Sequence, residues 1–160
     1  MKNTAALSTV LLLALAGCAT PPSGTVTSAS RTETCKAAGE QDIAALFDRW
    51  NASLQTGDPG KVVANYAQRS ILLPTVSNKP RFSAAEKEDY FDHFLANKPS
   101  GRINARMIEI GCNTAVDAGI YTFTFASTGA EVVARYTYTY AWDGKQWLIT
   151  SHHSSAMPEK

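Results

Sequence analysis

The sequence lacks most of the short motifs that identify a known chemistry. It has no Gly-rich phosphate loop, no Gly-x-Gly-x-x-Gly dinucleotide fingerprint and no Gly-x-Ser-x-Gly nucleophile elbow. These absences argue against a kinase-type site, a Rossmann-type nicotinamide enzyme and an α/β-hydrolase. His152 and His153 are adjacent in a predicted strand, so they point to opposite faces and cannot bind one metal ion together. We therefore predict no metal site and no cofactor.

The sequence also lacks an excess of charge of either sign. Its 160 residues include 15 Lys and Arg against 14 Asp and Glu, which gives a net charge of +1 with no basic cluster. Nucleic-acid binding needs a basic patch, so no nucleic-acid partner is predicted. A hydrophobic content of 44% indicates a globular core.

The N-terminal apolar run, residues 5–15, is too short to span a bilayer. Together with Lys2 and the sequence Leu15-Ala16-Gly17-Cys18, it resembles a bacterial lipoprotein signal. That resemblance implies cleavage of residues 1–17 and acylation of Cys18, and the alternative is an ordinary secretory signal peptide. Ala19 after the cysteine resembles the pattern of outer-membrane sorting. The sequence thus predicts a bacterial periplasmic protein that contacts the membrane through a lipid anchor only.

Residues 18–34 are rich in Pro, Ser, Thr, Ala and Gly, and they contain almost no large apolar side chain. We predict a flexible tether here, followed by one domain over residues 35–160. Once Cys18 is acylated, only Cys35 and Cys112 remain. An even pair in an exported protein is typical of a disulfide, and the alternative is two separate buried thiols.

Apolar spacing predicts three helices in the first half of the domain. The first covers residues 42–54, where Ile43, Leu46, Phe47, Trp50 and Leu54 form one apolar face. The second begins at Asp58-Pro59, runs to about Ala67 and includes Tyr66. A short strand at residues 70–74 precedes the third helix, which starts with a capping box of Ser83 and Glu86 and ends near Ala96.

The second half alternates with a period of two, which predicts strands at residues 103–112, 115–126 and 131–142. A turn is predicted over residues 98–101. Asp143-Gly144 predicts a hairpin into a last strand that begins at Trp147. A run of helices followed by a run of strands predicts an α+β fold, with three helices packed on one face of a curved antiparallel sheet.

Aromatic residues follow one face of the strand before this hairpin. Tyr136, Tyr138, Tyr140 and Trp142 alternate with Arg135 and small polar residues. Strict alternation also places His153 on the same face of the last strand as Trp147 and Ile149. Two interpretations remain open: the rings form the core beneath the helices, or they form an assembly interface while Arg135 and His153 face an internal pocket.

The element order resembles the cone-shaped nuclear transport factor 2-like fold, which SnoaL-like cyclases and ketosteroid isomerase share. The sequence resembles most closely the calcium/calmodulin-dependent protein kinase II association-domain family and its bacterial stand-alone relatives. The likeness covers about residues 40–159. The residues that carry it are Gly57-Asp58 with Tyr66, Tyr90-Phe91 with Phe94-Leu95, Asp117-Ala118, and the spacing of Trp147, His153, Ser155 and Pro158.

This resemblance implies a homodimer or larger assembly, built through the outer face of the sheet, with an open pocket inside the cone. It does not imply kinase activity, because the kinase motifs are absent. Five residues are the candidate pocket ligands: Arg135, His153, Tyr66, Trp50 and Arg106. An arginine fork would suit a small carboxylate-like ligand, and aromatic rings would line the rest.

A lipid-anchored, ligand-binding association domain is therefore the main functional hypothesis. The alternative is a cone-fold enzyme with isomerase- or cyclase-like acid–base chemistry, of the kind catalogued as SnoaL-like or as a generic oxidoreductase. In that case His153 is the candidate base, and Arg135 or Tyr66 would stabilise an oxyanion. No inward carboxylate is evident, since Asp117 is predicted to lie in a turn. A third possibility is a purely structural role in assembly.

Overall fold

The structure is a computed structural model that describes residues 33–159. The predicted signal peptide, the lipidation site Cys18 and most of the predicted tether lie outside the described residues. Within that described part, no helix combines the length and the apolar character that a membrane crossing requires.

Helices cover one face of a five-stranded sheet in the described part of the chain. The helices are α1 (Glu40–Leu54), α2 (Pro59–Val63) and α3 (Ala84–Leu95). The strands are β1 (Tyr66–Leu73), β2 (Pro99–Gly111), β3 (Thr114–Phe125), β4 (Ala130–Trp142) and β5 (Trp147–Ala156), in the order β1-β5-β4-β3-β2. Neighbours from β2 to β5 pair antiparallel, whereas β1 pairs parallel with β5. The predicted α+β fold of helices packed on a curved sheet is confirmed.

The predicted helix starts are also present. The Asp58 side chain accepts hydrogen bonds from the backbone N–H groups of Gly60 and Lys61, and Pro59 occupies the first turn of α2. Ser83 and Glu86 form the reciprocal capping box of α3. These signals depend on neighbours in sequence, which is why the sequence locates them well.

Two element boundaries differ from the prediction. Helix α2 ends at Val63, and Tyr66 begins strand β1 instead of ending a helix. The Asn65 side chain donates to the carbonyls of Lys61 and Val62, while the Asn65 carbonyl accepts from the Ile149 N–H at 2.9 Å. Pairing with β5 therefore ends the helix early. Similarly, β2 begins at Pro99, within the predicted turn at residues 98–101.

The aromatic ladder on β4 belongs to the core. Tyr136, Tyr138 and Tyr140 are at most 2% exposed. Phe47 of α1 packs against Tyr136 with ring centroids 6.5 Å apart, and Trp50 packs against Tyr138 at 5.8 Å. The interpretation of these tyrosines as an assembly interface is wrong, because α1 covers them. Arg135, which alternates with them, consequently lies on the outer face of the sheet and is exposed.

A β-bulge changes which face the end of β5 presents. Thr139 pairs with Ser151 and Tyr140 pairs with Ile149, so Thr150 is an extra residue on β5. Trp147 and Ile149 face the core before the bulge, and His152 and Ser154 face it afterwards. The predicted inward orientation of His153 is therefore wrong, and the reason is this single inserted residue.

The Cys35–Cys112 disulfide is present, as predicted, and it fastens residues 33–37 beside the turn between β2 and β3. Asn113 in that turn accepts from the Lys36 backbone N–H at 2.8 Å and donates to the Glu33 carboxylate at 2.9 Å. The Lys36 ammonium lies 4.8 Å above the Trp142 ring. These contacts give the start of the domain a defined position at one end of the sheet.

Candidate ligand-binding pocket

A cavity of about 250 Å³ lies between α3, the sheet and the loop that follows β1. This volume is below the usual range of about 300–1,000 Å³ for drug-sized ligands, so it suits a molecule of few atoms. Within the described part of the chain, no Asp, Glu, Lys or Arg side chain lines it. Its walls are mainly aromatic and aliphatic: Trp50, Leu72, Pro74, Val76, Tyr90, Phe91, Phe94, Phe123, Phe125, Val132 and Ala134.

Three hydroxyl groups form a connected cluster on the cavity wall. The Tyr121 hydroxyl donates to Ser154 Oγ at 2.5 Å, and Ser154 is also hydrogen-bonded to Thr75. Burial raises the pKa of Tyr121, so this phenol keeps its proton and remains a donor at neutral pH. Tyr121 comes from β3, Ser154 from β5 and Thr75 from the loop after β1. The cluster therefore exists only in the folded domain.

Besides the hydroxyl cluster, the cavity wall contains the polar side chain of His152, which is 4% exposed. Its ring stacks on Tyr138 with centroids 4.1 Å apart, and its Nδ1 is hydrogen-bonded to the Tyr66 hydroxyl at 2.8 Å. Its Nε2 has no protein partner among residues 33–159. Burial, with a smaller contribution from His153, lowers the pKa of His152 to about 3. The imidazole is therefore neutral at physiological pH and carries a single N–H.

The structure brings together only some of the predicted pocket residues. Trp50 lines the cavity, and Tyr66 lies directly behind His152. Arg135 and His153 are exposed on the opposite face of the sheet, where Arg135 donates to Ser155 Oγ at 3.2 Å. Their predicted contact with a ligand in this pocket is wrong, and His153 cannot be the base of a reaction there, because the sheet separates both side chains from the cavity.

Arg106, whose side chain is 23% exposed, belongs to a separate cluster around a buried carboxylate. Asp117, which lies in β3 and not in the predicted turn, is 0% exposed. Its carboxylate forms an ion pair with Arg106 at 3.0 Å and accepts from the Tyr136 hydroxyl at 2.8 Å. Sequence reasoning missed this inward carboxylate because Asp117 was assigned to a turn, whereas it pairs with Ile108 and Tyr138 in the middle of the sheet.

We expect Arg106→Met to lower the free energy of unfolding by about 3 kcal/mol, because it leaves the Asp117 charge buried without its cation. The double variant Arg106→Met/Asp117→Asn should recover part of the loss, since no ionised carboxylate remains. Urea denaturation of the two variants checks the expectation, with exposed Arg135→Met as the matched control. A loss for Arg106→Met no larger than that of the control would contradict it.

Sequence reasoning also missed His152, Ser154, Tyr121 and Thr75 as pocket residues. One signal could have found two of them: if the β4 tyrosines are core, their partners across the hairpin also face inward. Tyr138 pairs with His152, and Tyr136 pairs with Ser154. Within residues 33–159, no three His, Cys, Asp or Glu side chains are grouped as a metal site would require.

Comparison with protein families gives a match over most of the chain. The model of the calcium/calmodulin dependent protein kinase II association domain matches residues 39–158. No curated protein matches the chain. A solved structure from Xanthomonas campestris, described as a domain of the same family, is 50% identical with a TM-score of 0.72, and the match covers 80% of this chain and 98% of that one.

More distant structures share the fold. An iota-carbonic anhydrase from a cyanobacterium, complexed with bicarbonate, is 19% identical with a TM-score of 0.69, over 79% of this chain and 97% of that one. A nuclear transport factor 2-like protein from Novosphingobium aromaticivorans is 12% identical with a TM-score of 0.63, over 75% of this chain and 82% of that one. At these identities the likeness concerns the fold alone.

Proposed function

The chain belongs to the calcium/calmodulin dependent protein kinase II association domain family, and from that premise we propose that its cavity binds a small planar oxygen ligand of the carbonate or carboxylate class. The observation that carries this proposal is the unpartnered Nε2 of buried His152, beside the hydroxyl cluster of Thr75, Tyr121 and Ser154. An unpaired polar atom in an apolar wall is costly unless a ligand or water satisfies it.

The remaining walls fit the same class of ligand. A cavity of about 250 Å³ lined by aromatic rings holds the flat, non-polar faces of a small planar molecule. The imidazole and the hydroxyl groups then meet its oxygen atoms at the edge. Bicarbonate is our first candidate, because a protein of this fold has been solved in complex with it.

We expect Ser154→Ala and His152→Phe each to weaken bicarbonate binding by about 10- to 100-fold, as for the loss of a hydrogen bond to a charged group. The affinity is measured by titrating ¹³C-labelled bicarbonate with the full chain and recording how far the bicarbonate NMR line broadens. His153→Gln is the matched control, because it alters the adjacent histidine on the other face of the sheet. Equal affinities in wild type and in all three variants would contradict the proposed site.

A second candidate function is the reversible hydration of carbon dioxide. The apolar walls suit neutral CO₂, the polar cluster suits bicarbonate, and one structural neighbour is a carbonic anhydrase. A water oxygen would add to the carbon, the water would release one proton to buffer, and His152 and Ser154 would hold the bicarbonate product. Stopped-flow hydration assays of the proteins named above test this. A rate equal to the uncatalysed rate would exclude catalysis. The bicarbonate titration would then still decide whether the cavity binds bicarbonate.

We also propose that the chain forms a homodimer or larger assembly through the outer face of the sheet. Half-buried apolar residues lie in the middle of that face, namely Val116, Ala118 and Ile120, beside exposed Met107. Such a face is suited to a second copy, and the family is named for association. Native mass spectrometry of the full chain that finds a monomer would contradict this proposal.

The location in the cell is proposed from the sequence of the first 18 residues. Lys2, the apolar run at residues 5–15 and Leu15-Ala16-Gly17-Cys18 support a lipid anchor on Cys18 in the bacterial outer membrane, facing the periplasm. Mass spectrometry of the N-terminal peptide after expression in a Gram-negative host tests it. Detection of an unmodified Cys18, or of an acylated Cys18→Ser variant, would overturn the proposal.

A further inference from the structure

A buried lysine lies behind the polar wall of the cavity. Lys87 of α3 is 1% exposed, and its ammonium donates to the carbonyl oxygens of Ser70 at 3.1 Å and Phe82 at 2.5 Å. Among residues 33–159, no carboxylate lies within ion-pair distance of it. A buried charge without an opposite charge is costly. Burial lowers the pKa of Lys87, whereas the two carbonyl acceptors favour its ammonium form, which places a positive charge near the cavity.

Tyr66 and His152 connect Lys87 to the cavity. The ammonium lies 5.8 Å from the centroid of the Tyr66 ring, within the range of a cation–π contact. The Tyr66 hydroxyl is hydrogen-bonded to His152 Nδ1 at 2.8 Å, and His152 lines the cavity. Lysine, phenol and imidazole thus form one continuous chain of contacts that ends at the cavity.

The available donors and acceptors give the direction of the hydrogen bond between Tyr66 and His152. Burial raises the pKa of the Tyr66 hydroxyl, so this phenol keeps its hydrogen. If His152 Nδ1 carried the hydrogen of this bond, the phenol hydrogen would be left without an acceptor among residues 33–159, so the Tyr66 hydroxyl donates to Nδ1. A neutral imidazole that accepts at Nδ1 carries its hydrogen at Nε2. A cation over the phenol ring withdraws electron density, which makes the hydroxyl a stronger donor in this direction.

We propose that Lys87 is a positioning residue that holds His152 in the Nε2–H tautomer through Tyr66, so that the cavity presents an N–H donor and selects anionic oxygen acceptors over neutral ligands of the same shape. The positive charge of Lys87 adds to this selection, because no charged side chain among the described residues lines the cavity itself. The inference rests on the proposed function and specifies the charge of its ligand.

The test compares Lys87→Met, which preserves length and removes charge, with Lys145→Met at an exposed turn position. Acetate and acetamide are the probes, because they share a shape and differ in charge. In the full chain, Lys87→Met should weaken acetate binding about tenfold, the size expected of one unit charge acting through the protein interior, and leave acetamide binding unchanged. Lys145→Met should change neither. An equal loss for both probes in Lys87→Met would show that Lys87 only supports the loop, and would overturn the proposal.

A second measurement does not depend on any ligand. Long-range ¹H–¹⁵N correlation spectra of the free protein report which ring nitrogen of His152 is protonated. Wild type should show the Nε2–H tautomer, and Lys87→Met and Tyr66→Phe should both shift the population towards Nδ1–H. An Nδ1–H tautomer in wild type, or an unchanged spectrum in Lys87→Met, would overturn the role of Lys87. If wild type binds neither probe, the proposed function fails, and the spectra still decide the role of Lys87.

Discussion

Removing the Cys35–Cys112 disulfide should lower the free energy of unfolding by about 4 to 5 kcal/mol. The bond joins residues 77 apart in sequence, and the chain-entropy model gives this magnitude for so long a loop. Such a loss is a large share of the usual stability of about 5 to 15 kcal/mol. The effect acts mainly on the unfolded chain, because residues 33–37 are exposed and lie outside the helices and strands.

The measurement is urea denaturation of the Cys35→Ser/Cys112→Ser variant and of wild type with and without reductant. Cys18→Ser is the matched control, since it replaces a cysteine and leaves the disulfide intact. We expect the variant and reduced wild type to agree with each other. A loss below about 1 kcal/mol would mean that the reduced chain retains enough structure to cancel the entropy term.

Acid should destabilise the domain already between pH 6.5 and pH 5, because of His152. Its pKa is about 3 in the folded state against an ordinary value of 6.5. The unfolded state therefore binds more protons in this window, and stability falls as the pH falls, by about 1.4 kcal/mol per pH unit. The expected loss is about 2 kcal/mol by pH 5 and about 4 to 5 kcal/mol by pH 3.

The upper part of this window isolates the histidine. Hydrogen bonds lower the pKa values of Glu86, Asp89 and Asp143, and these carboxylates lose their stabilising contribution only as the pH falls below about 4.5. Urea denaturation at pH 7, 6 and 5 should show the slope in wild type and in His153→Gln but not in His152→Phe. If His152→Phe does not fold, NMR titration of wild type decides: a His152 ring that titrates near pH 6.5 would refute the expectation.

Much of the fold follows from local signals in the sequence. The face of α1 with Ile43 and Trp50 is set by helical spacing, and the start of α3 is set by Ser83 and Glu86 within one turn. The disulfide followed from the number of cysteines in an exported chain, and the structure confirms it. Each of these predictions depends only on neighbouring residues or on the number of cysteines, which is why the structure agrees with them.

The candidate site could not be read in the same way. Trp50 and Tyr66 were found because large aromatic residues are buried wherever the core forms. Asp117 was missed because the position of a carboxylate within a strand depends on how two partners pair with it. Thr75 reaches Ser154 from a loop with no regular pattern of its own, so no sequence period predicts their contact.

The sequence by itself determined the α+β class, the starts of α2 and α3, the hairpin and the cysteine pair. Only the tertiary structure decided that His152, and not His153, faces the cavity. Alternation along a strand has a period of two, so one inserted residue reverses every face beyond it. The insertion at Thr150 arises from the pairing of β5 with β4. The chemistry of the pocket therefore depends on a cross-strand register that the residues of β5 alone do not specify.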